Sequence, residues 1–297
     1  MICSFVSRAF FIVRPHHGPD SNRRWRKDPW QVNIDTVRGD VVGKGGGASC
    51  ARWTLPIRMD MAYTRPCGRD DFAYSMEFAM KRSNILAHRG YWANKAEQNS
   101  SLALNRAVDA GFGLETDVRD RAGLLVISHD PPESGSLLSA GAFFEYFAKA
   151  KADCRLAINV KADGLQKKLL DALQANCLDQ GNLFVFDMAV PDALHYLRLG
   201  VPTYTRISEY EKQPTFLDEA SGVWIDSFTG GFPQVAEAQR LMQMGYRVCI
   251  VSSELHGRDH RPLWAQIIEA QLHKNPLFEI CTDFPQIACD IFEADDR

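Results

Sequence analysis

Short apolar runs and amphipathic stretches alternate along the chain from residue 84 onwards. Runs such as Ile85–Ala87 and Leu156–Val160 predict strands, whereas Ser101–Ala110 and Leu165–Asn176 carry apolar residues at helical spacing. The strand–helix unit recurs about eight times over roughly 210 residues, which is typical of an α/β fold with a parallel sheet. Eight such units predict a closed (β/α)8 TIM barrel in a single domain, residues 76–297. An open, doubly wound sheet is the alternative.

Polar residues follow the predicted strands at the point where each strand ends. In a barrel these ends open onto one face, where barrel enzymes keep their catalytic residues. A glycine-rich nucleotide-binding motif is absent from the sequence, so a nucleotide-binding loop is not indicated. The polar strand ends are His88, Glu115, Asp117, His129, Asn159, Lys161, Asp187, Arg206, Asp226, Ser252, Glu254 and Asp283.

The first 75 residues differ from the rest of the chain in charge and in pattern. They carry a net charge of +5, against −8 for residues 76–297, and they lack sustained periodicity. One interpretation is a basic arm that binds nucleic acid or anionic lipid. The favoured interpretation is a disordered extension, or a segment that is not native because translation begins at Met76 or Met80.

Charge, apolar runs and cysteines constrain the cellular context. The net charge of −3 gives no general reason to expect nucleic-acid binding. The early apolar run Ala9–Val13 is too short for a signal peptide or a membrane span, so stable membrane insertion is not expected. Residues 76–297 contain five cysteines without a CxxC motif, and Cys249 and Cys281 are expected to be small core residues. This usage indicates a reducing cytoplasm.

Glu115 and Asp117 are two carboxylates at positions i and i+2 of a predicted strand, so their side chains share one face. Like charges on one buried face favour a bound cation, and hard oxygen ligands suit Mg²⁺ or Ca²⁺. Asn159, at the end of a later strand, would add a neutral oxygen. Equally expected is a structural ion pair between either carboxylate and a basic residue such as Arg89 or Lys161.

His88 and His129 form a second pair, and each lies beside a charged residue, Arg89 or Asp130. Histidine titrates near neutrality, so one ring can accept a proton while the other donates one. Displacement at phosphorus needs both transfers. Arg89 and Lys161 would neutralise phosphate oxygens, and a metal ion would position the nucleophile. These residue types predict phosphodiester cleavage, provided that the fold brings them together.

The order of these motifs resembles that of the glycerophosphodiester phosphodiesterases, within the phosphatidylinositol-phospholipase-C-like phosphodiesterase superfamily. The family order is His-Arg-Gly, Glu-Asn-Thr, Glu-x-Asp, His-Asp and a last-strand Thr-Asp-Tyr/Phe-Pro. The resemblance covers residues 84–292 and leaves residues 1–75 out. The matching segments are His88-Arg89-Gly90, Gln98-Asn99-Ser100, Glu115-Thr116-Asp117, His129-Asp130 and Thr282-Asp283-Phe284-Pro285.

The resemblance implies a (β/α)8 barrel that uses a divalent cation, Mg²⁺ or Ca²⁺, to hydrolyse small glycerol-linked phosphodiesters. The products would be an alcohol and a phosphomonoester such as glycerol 3-phosphate. In the family, the hydroxyl next to the phosphate is thought to attack first and to give a cyclic intermediate. The implied roles are acid/base catalysis for His88 and His129, metal ligation for Glu115 and Asp117 with Asn159 as the third candidate, and phosphate contact for Arg89 and Lys161.

The chain departs from the family pattern in three places. The usual Glu-x-Lys is Asn159-Val160-Lys161 here, so we expect weaker metal binding or a preference for Ca²⁺ over Mg²⁺. The short segment after His129-Asp130 predicts an open pocket without a large cap, and Val251-Ser252-Ser253-Glu254 replaces a Trp-Thr-x-Asn-like run. These last two departures leave open a phospholipase-like enzyme or a cleaver of glycan or lipid phosphodiesters. The metal site weakened by Asn159 leaves open a barrel that binds a phosphorylated ligand without turnover.

Other polar residues near these motifs are expected to have mainly structural roles. Asn99 is equally expected to orient the site or to cap the helix that follows. Asp226 and Asp283 are expected to tie down loops, and Arg206 and Glu254 to form surface or structural pairs.

Overall fold

The computed structural model describes residues 80–132, 137–150 and 153–295, so the predicted extension over residues 1–75 lies outside the described residues. The strands are β1 (Ile85–His88), β2 (Gly113–Arg121), β3 (Leu124–Ile127), β4 (Leu138–Ser139), β5 (Leu156–Val160), β6 (Leu183–Phe186), β7 (Tyr204–Ile207), β8 (Gly222–Ile225), β9 (Val248–Val251) and β10 (Phe278–Thr282). The helices are α1 (Ser101–Asp109), α2 (Ala140–Ala150), α3 (Gln166–Ala175), α4 (Val190–Arg198), α5 (Gln234–Gln243), α6 (Arg261–Glu269) and α7 (Pro285–Asp295).

Eight of these strands are parallel and pair in the order β6, β5, β2, β1, β10, β9, β8, β7. The two ends of this series also meet. Val185 in β6 forms an isolated parallel bridge with Thr203, next to β7, and the Val185 amide donates to the Pro202 carbonyl oxygen at 2.8 Å. The predicted α/β fold with a parallel sheet is therefore confirmed.

The strands β3 and β4 are antiparallel and form an excursion from the parallel sheet. β2 pairs with β3 so that Arg121 lies opposite Leu124, and the two residues between them turn the chain. Those residues are Ala122 and Gly123, with φ of 48° and 84°, as two-residue type I′ hairpins require. The run over residues 123–128 therefore belongs to a hairpin and not to a strand–helix unit of the parallel series.

The parallel strands are buried on both faces, as the continuous apolar runs in β6 and β9 require. The strand side chains on one face of the parallel sheet form one buried cluster. In it, the rings of Phe184 and Tyr204 stack with their centroids 3.6 Å apart, and those of Phe186 and Trp224 stack at 3.9 Å. Cys249, in the same cluster, is fully buried. The prediction that it and Cys281 are small core residues is confirmed.

The opposite set of strand side chains packs against the helices. α7 was not predicted, although it buries Ala288, Cys289 and Phe292 on one side. α6 ends at Glu269, and a short 3-10 turn follows at Leu272–Lys274. None of the described helices is long and apolar enough to cross a membrane.

A charged cluster lies at the amino ends of the parallel strands. The carboxylate of Glu279, fully buried in β10, accepts a hydrogen bond from the Tyr204 hydroxyl at 3.0 Å. It pairs with Arg155 Nε at 2.9 Å and with a guanidinium nitrogen of Arg247 at 3.7 Å. Because Arg155 and Arg247 immediately precede β5 and β9, and Tyr204 begins β7, this single carboxylate in β10 connects four strands at the end opposite the polar strand ends.

Candidate active site

A cavity of about 240 Å³ opens at the carboxyl ends of the parallel strands. Asp117, one of the predicted site residues, does not line it and has no exposed surface. The other six predicted site residues all line this one cavity: His88, Arg89, Glu115, His129, Asn159 and Lys161.

His88 ends β1 and is held by a carboxylate from the neighbouring strand. Its Nδ1 lies 2.7 Å from Oδ1 of Asp283, which directly follows β10. Only 15% of the His88 side chain is exposed. Asp283, expected to tie down a loop, instead orients a ring that faces the cavity. The Glu254 carboxylate accepts from the Asp283 amide at 3.0 Å, so the structural role expected for Glu254 is observed.

His129 reaches the same cavity from the antiparallel excursion, directly after Ser128. Its Nδ1 lies 2.9 Å from Oδ1 of Asp130, and 41% of its side chain is exposed. Arg119 in β2 donates from Nε to the carbonyl oxygen of His129 at 2.9 Å. That bond ties the position of this histidine to the extended part of β2.

A left-handed turn after β1 positions Arg89. The φ angles of Arg89 and Gly90 are 56° and 88°. The Arg89 amide donates to Oε2 of Glu115 at 3.1 Å, and its guanidinium Nε lies 3.1 Å from Oδ2 of Asp117. A Cβ atom on Gly90 would lie 2.7 Å from the backbone of Ala103 in α1, so only glycine fits this turn.

Asn99 orients Asp117 from the segment before α1. Its amide Nδ2 donates to Oδ2 of Asp117 at 2.8 Å, and its Oδ1 accepts from the Thr116 hydroxyl at 2.9 Å. The cap of α1 is Ser100, whose hydroxyl accepts from the Ala103 amide. Of the two roles expected for Asn99, the orienting one is therefore observed and the capping one is wrong.

Asp117 also forms the ion pair that the sequence left open. Lys161 Nζ lies 3.6 Å from Oδ1 of Asp117 and 3.2 Å from Oδ2 of Asp187, and Arg89 occupies the other oxygen of Asp117. Asp187 is in turn paired with Arg206. The basic side chains at the cavity are thus fixed in position by buried or half-buried carboxylates.

Glu115 is almost fully buried, and its charge is correspondingly costly. Burial, together with the neighbouring charge of Asp117, raises the pKa of Glu115 to about 7, although His88, Arg89 and Lys161 act in the opposite direction. A carboxyl group with such a pKa is only partly ionised at neutral pH. A bound cation would favour its ionised form.

The three predicted metal ligands lie on adjacent strands, with Asp117 directly opposite Asn159 in the register of β2 and β5. Among the described residues, no group of three or more His, Cys, Asp or Glu side chains is arranged to bind a metal ion. The predicted set contains only two such residues, because its third member is an amide. The buried Oδ1 atoms of Asn159 and Asp117 accept no hydrogen bond within the described chain. With Glu115 they provide oxygen ligands that fit a hard cation.

A third histidine, which belongs to none of the sequence motifs, also lines the cavity. His256 lies in the 3-10 turn after β9, and its Nε2 is 2.7 Å from Oδ1 of Asp226 at the end of β8. The His256 ring lies 5.1 Å from the ring of Phe228, another lining residue. The signal in the sequence was weak, because this histidine follows its strand by five residues and has no acidic neighbour.

The fold superposes on solved phosphodiesterase structures. A glycerophosphodiester phosphodiesterase from Parabacteroides distasonis is 18% identical, and the match covers 73% of this chain and 100% of that one with a TM-score of 0.57. The glycerophosphodiester phosphodiesterase from Agrobacterium tumefaciens is 16% identical. That match covers 69% of this chain and 99% of the other, with a TM-score of 0.52. A phosphodiesterase from Oleispira antarctica, solved in complex with the product sn-glycerol-3-phosphate, is 16% identical. That match covers 72% of this chain and 97% of the other, with a TM-score of 0.53. No protein-family model matches the chain, and no curated protein sequence matches it significantly.

The predicted resemblance to glycerophosphodiester phosphodiesterases is confirmed for the fold. The matches cover nearly the whole length of the solved chains, so the shared fold is the complete domain of those proteins. At 16–18% identity the superpositions establish the fold alone, and the chemistry has to follow from the residues of the cavity.

Proposed function

We propose that this protein is a phosphoric diester hydrolase of the glycerophosphodiester phosphodiesterase type, which releases an alcohol and a phosphomonoester such as glycerol 3-phosphate. The observation that carries the proposal is a single cavity whose lining includes the two predicted histidines, each paired with a carboxylate, and the two predicted basic side chains. These four residues are His88, His129, Arg89 and Lys161.

The proposed scaffold is a (β/α)8 barrel in one domain over residues 76–297. The circuit of parallel pairings supports it, because each parallel strand pairs with the next and the bridge between Val185 and Thr203 joins the two ends. The placement of the cavity at the carboxyl ends of the strands also supports it, since barrel enzymes keep their active sites there.

In the proposed mechanism, one histidine removes a proton from the hydroxyl next to the phosphate while the other protonates the departing alkoxide. The hydroxyl oxygen forms a new bond to phosphorus as the bond to the leaving alcohol breaks, which gives a cyclic phosphodiester. Water then opens that ring with the two proton transfers reversed. Asp283 and Asp130 accept from Nδ1 of His88 and His129, leave Nε2 for the substrate and stabilise each imidazolium.

Arg89 and Lys161 neutralise the phosphate oxygens in this proposal, and their ion pairs with Asp117 hold them in place. Glu115, Asp117 and Asn159 would hold a divalent cation, Mg²⁺ or Ca²⁺. When bound, the cation supplies positive charge that neutralises the phosphate and favours deprotonation of the attacking hydroxyl. Because Asn159 is uncharged, we expect the site to bind the cation more weakly than three carboxylates would.

The test is turnover of glycerophosphodiesters by the full-length chain in Mg²⁺, in Ca²⁺ and in EDTA, with glycerol 3-phosphate measured as product. We expect metal-dependent turnover. His88→Ala and His129→Ala should each lower kcat by about 10³-fold, because each removes a proton-transfer group. His195→Ala, on the exposed side of α4, is the matched control and should retain wild-type kcat.

Wild-type turnover by either histidine variant would refute the acid/base role of that residue. Silence on several diesters, with or without metal, would contradict the hydrolase. Calorimetric binding of a phosphodiester without turnover would indicate a phospho-ligand-binding protein. Cleavage of phosphatidylinositol in place of glycerophosphodiesters would indicate a phospholipase-like activity.

A further inference from the structure

The Asp226–His256 pair lies in the same cavity as the proposed catalytic groups but on other strands. His88, Glu115 and Lys161 belong to β1, β2 and the end of β5, whereas Asp226 follows β8 and His256 follows β9. Neither member of the pair is used in the proposed proton transfers or in metal binding. Asp226 is 94% buried, and its Oδ1 also accepts from the Ser227 amide at 2.7 Å, so this carboxylate is fixed.

The ring nitrogens of His256 are arranged in the opposite way to those of the other two histidines. His88 and His129 contact their carboxylates through Nδ1, whereas His256 contacts Asp226 through Nε2. A neutral imidazole that donates its Nε2–H to a carboxylate presents Nδ1 as a hydrogen-bond acceptor. Such an acceptor binds a hydroxyl group well, whereas a phosphate oxygen without a proton would be repelled.

The surroundings of His256 indicate what carries that hydroxyl. Trp224, Phe228 and Leu255 line the cavity on this side and offer apolar surface to a short carbon chain. The cavity, at about 240 Å³, is of a size that accommodates a small polyol phosphate. Arg89, Asp226 and His256 line the same cavity, so a molecule with its phosphate at Arg89 can extend towards the Asp226–His256 pair.

We propose that His256, held by Asp226, is a specificity-determining residue that accepts a hydrogen bond from the distal hydroxyl of the polyol retained on the phosphate. This inference rests on the proposed function. It assigns to the Asp226–His256 pair the recognition of a hydroxyl beyond the one that attacks. The proposed catalytic groups alone do not require that second hydroxyl.

The test compares two diesters with the same leaving alcohol, one built on glycerol and one on propane-1,2-diol phosphorylated at carbon 1. The second keeps the attacking hydroxyl and lacks the distal one. Wild type should prefer the glycerol diester roughly tenfold in kcat/KM, the size of one neutral hydrogen bond. His256→Ala should raise KM for the glycerol diester by about the same factor, leave kcat within about twofold, and leave the propanediol diester unaffected.

Two further variants separate hydrogen bonding from shape. His256→Phe keeps a ring but has no acceptor, so it should behave like His256→Ala. His256→Asn keeps a polar atom near the position of Nδ1 and should restore part of the preference for glycerol. His195→Ala, exposed on α4, is the matched control and should keep the full preference.

Three outcomes would overturn the inference while leaving the proposed function intact. These are equal losses on both diesters, which indicate a structural role for the pair, an unchanged preference in His256→Ala, and a wild type that does not distinguish the two diesters. A wild type that turns over neither diester would instead contradict the proposed function itself.

Discussion

At the scale of single residues, the backbone conformation at the cavity is unusual. Arg89, Asn99 and Asp187 all have positive φ angles, of 56°, 58° and 69°. Non-glycine residues adopt this region at a cost of order 1 kcal/mol or more, and such strain is frequent at functional sites. Each of these three side chains contacts another charged or polar residue of the site. The strained turns therefore aim side chains that a regular strand end would direct elsewhere.

Glu115 should make the stability of the metal-free protein depend on pH. Its pKa rises from 4.5 to about 7 in the folded state, so between these values the folded chain holds a proton that the unfolded chain has lost. The free energy of unfolding should therefore fall as pH rises through this window, by up to about 3 kcal/mol. Urea unfolding in EDTA at pH 5 and pH 8 measures it.

Glu115→Gln removes this titration and should flatten the dependence. Glu269→Gln, at an exposed position in α6, is the control and should keep the wild-type slope. An equally steep dependence in Glu115→Gln would show that another group is responsible.

At the scale of elements, the turn after β1 packs closely against the backbone of α1. Gly90 has a φ angle of 88°, and the backbone of Ala103 fills the space where a Cβ atom would be. Gly200 after α4 has a similar φ angle of 73°, but no atom lies within 4 Å of its Cβ position. The two glycines therefore separate the cost of the backbone conformation from the cost of crowding.

Gly90→Ala should lower the free energy of unfolding by more than about 2 kcal/mol, because it adds a clash with α1 to the cost of the left-handed conformation. Gly200→Ala should cost only about 1 kcal/mol. Denaturant unfolding of both variants measures the difference. Equal losses would mean that α1 moves away from the turn at little cost.

At the scale of the whole molecule, the two ends of the parallel strands have different roles. The carboxyl ends carry the cavity, whereas the amino ends carry Glu279 with Arg155, Arg247 and Tyr204. A buried carboxylate between two guanidinium groups stabilises the fold only while all the partners remain. The cluster is therefore expected to matter for folding and not for turnover.

Glu279→Ala should lower the free energy of unfolding by about 3–5 kcal/mol, because it leaves Arg155 buried without its carboxylate. The kcat of the fraction that remains folded should stay within about twofold of wild type. Glu279→Gln keeps an acceptor for the Tyr204 hydroxyl and should be less damaging. Thermal unfolding and turnover at 25 °C measure the two effects, and a parallel loss of kcat would contradict the separation.

The sequence was sufficient for the fold class because β6 and β9 are uniformly apolar runs that polar residues follow, and β5 is apolar except for Asn159. The rule that polar residues follow apolar strands led to seven predicted site residues, and six of them line one cavity. It could not show that Asp283 pairs with His88, since the two are separated by 195 positions and only the pairing of β1 with β10 brings them together. His256 was missed because the orientation of its ring depends on Asp226, a residue of another loop.

The antiparallel arm that carries His129 makes the two proposed proton-transfer groups structurally independent. His88 is part of a parallel strand and changes only if the sheet changes, whereas His129 lies on an antiparallel arm attached through β2. An insertion or exchange in that arm would change the proton transfer proposed for His129, or open the site to larger leaving alcohols, without disturbing the hydrophobic core. Variation among proteins of this architecture is therefore expected to concentrate in the arm, and a transplanted arm is a direct route to altered specificity.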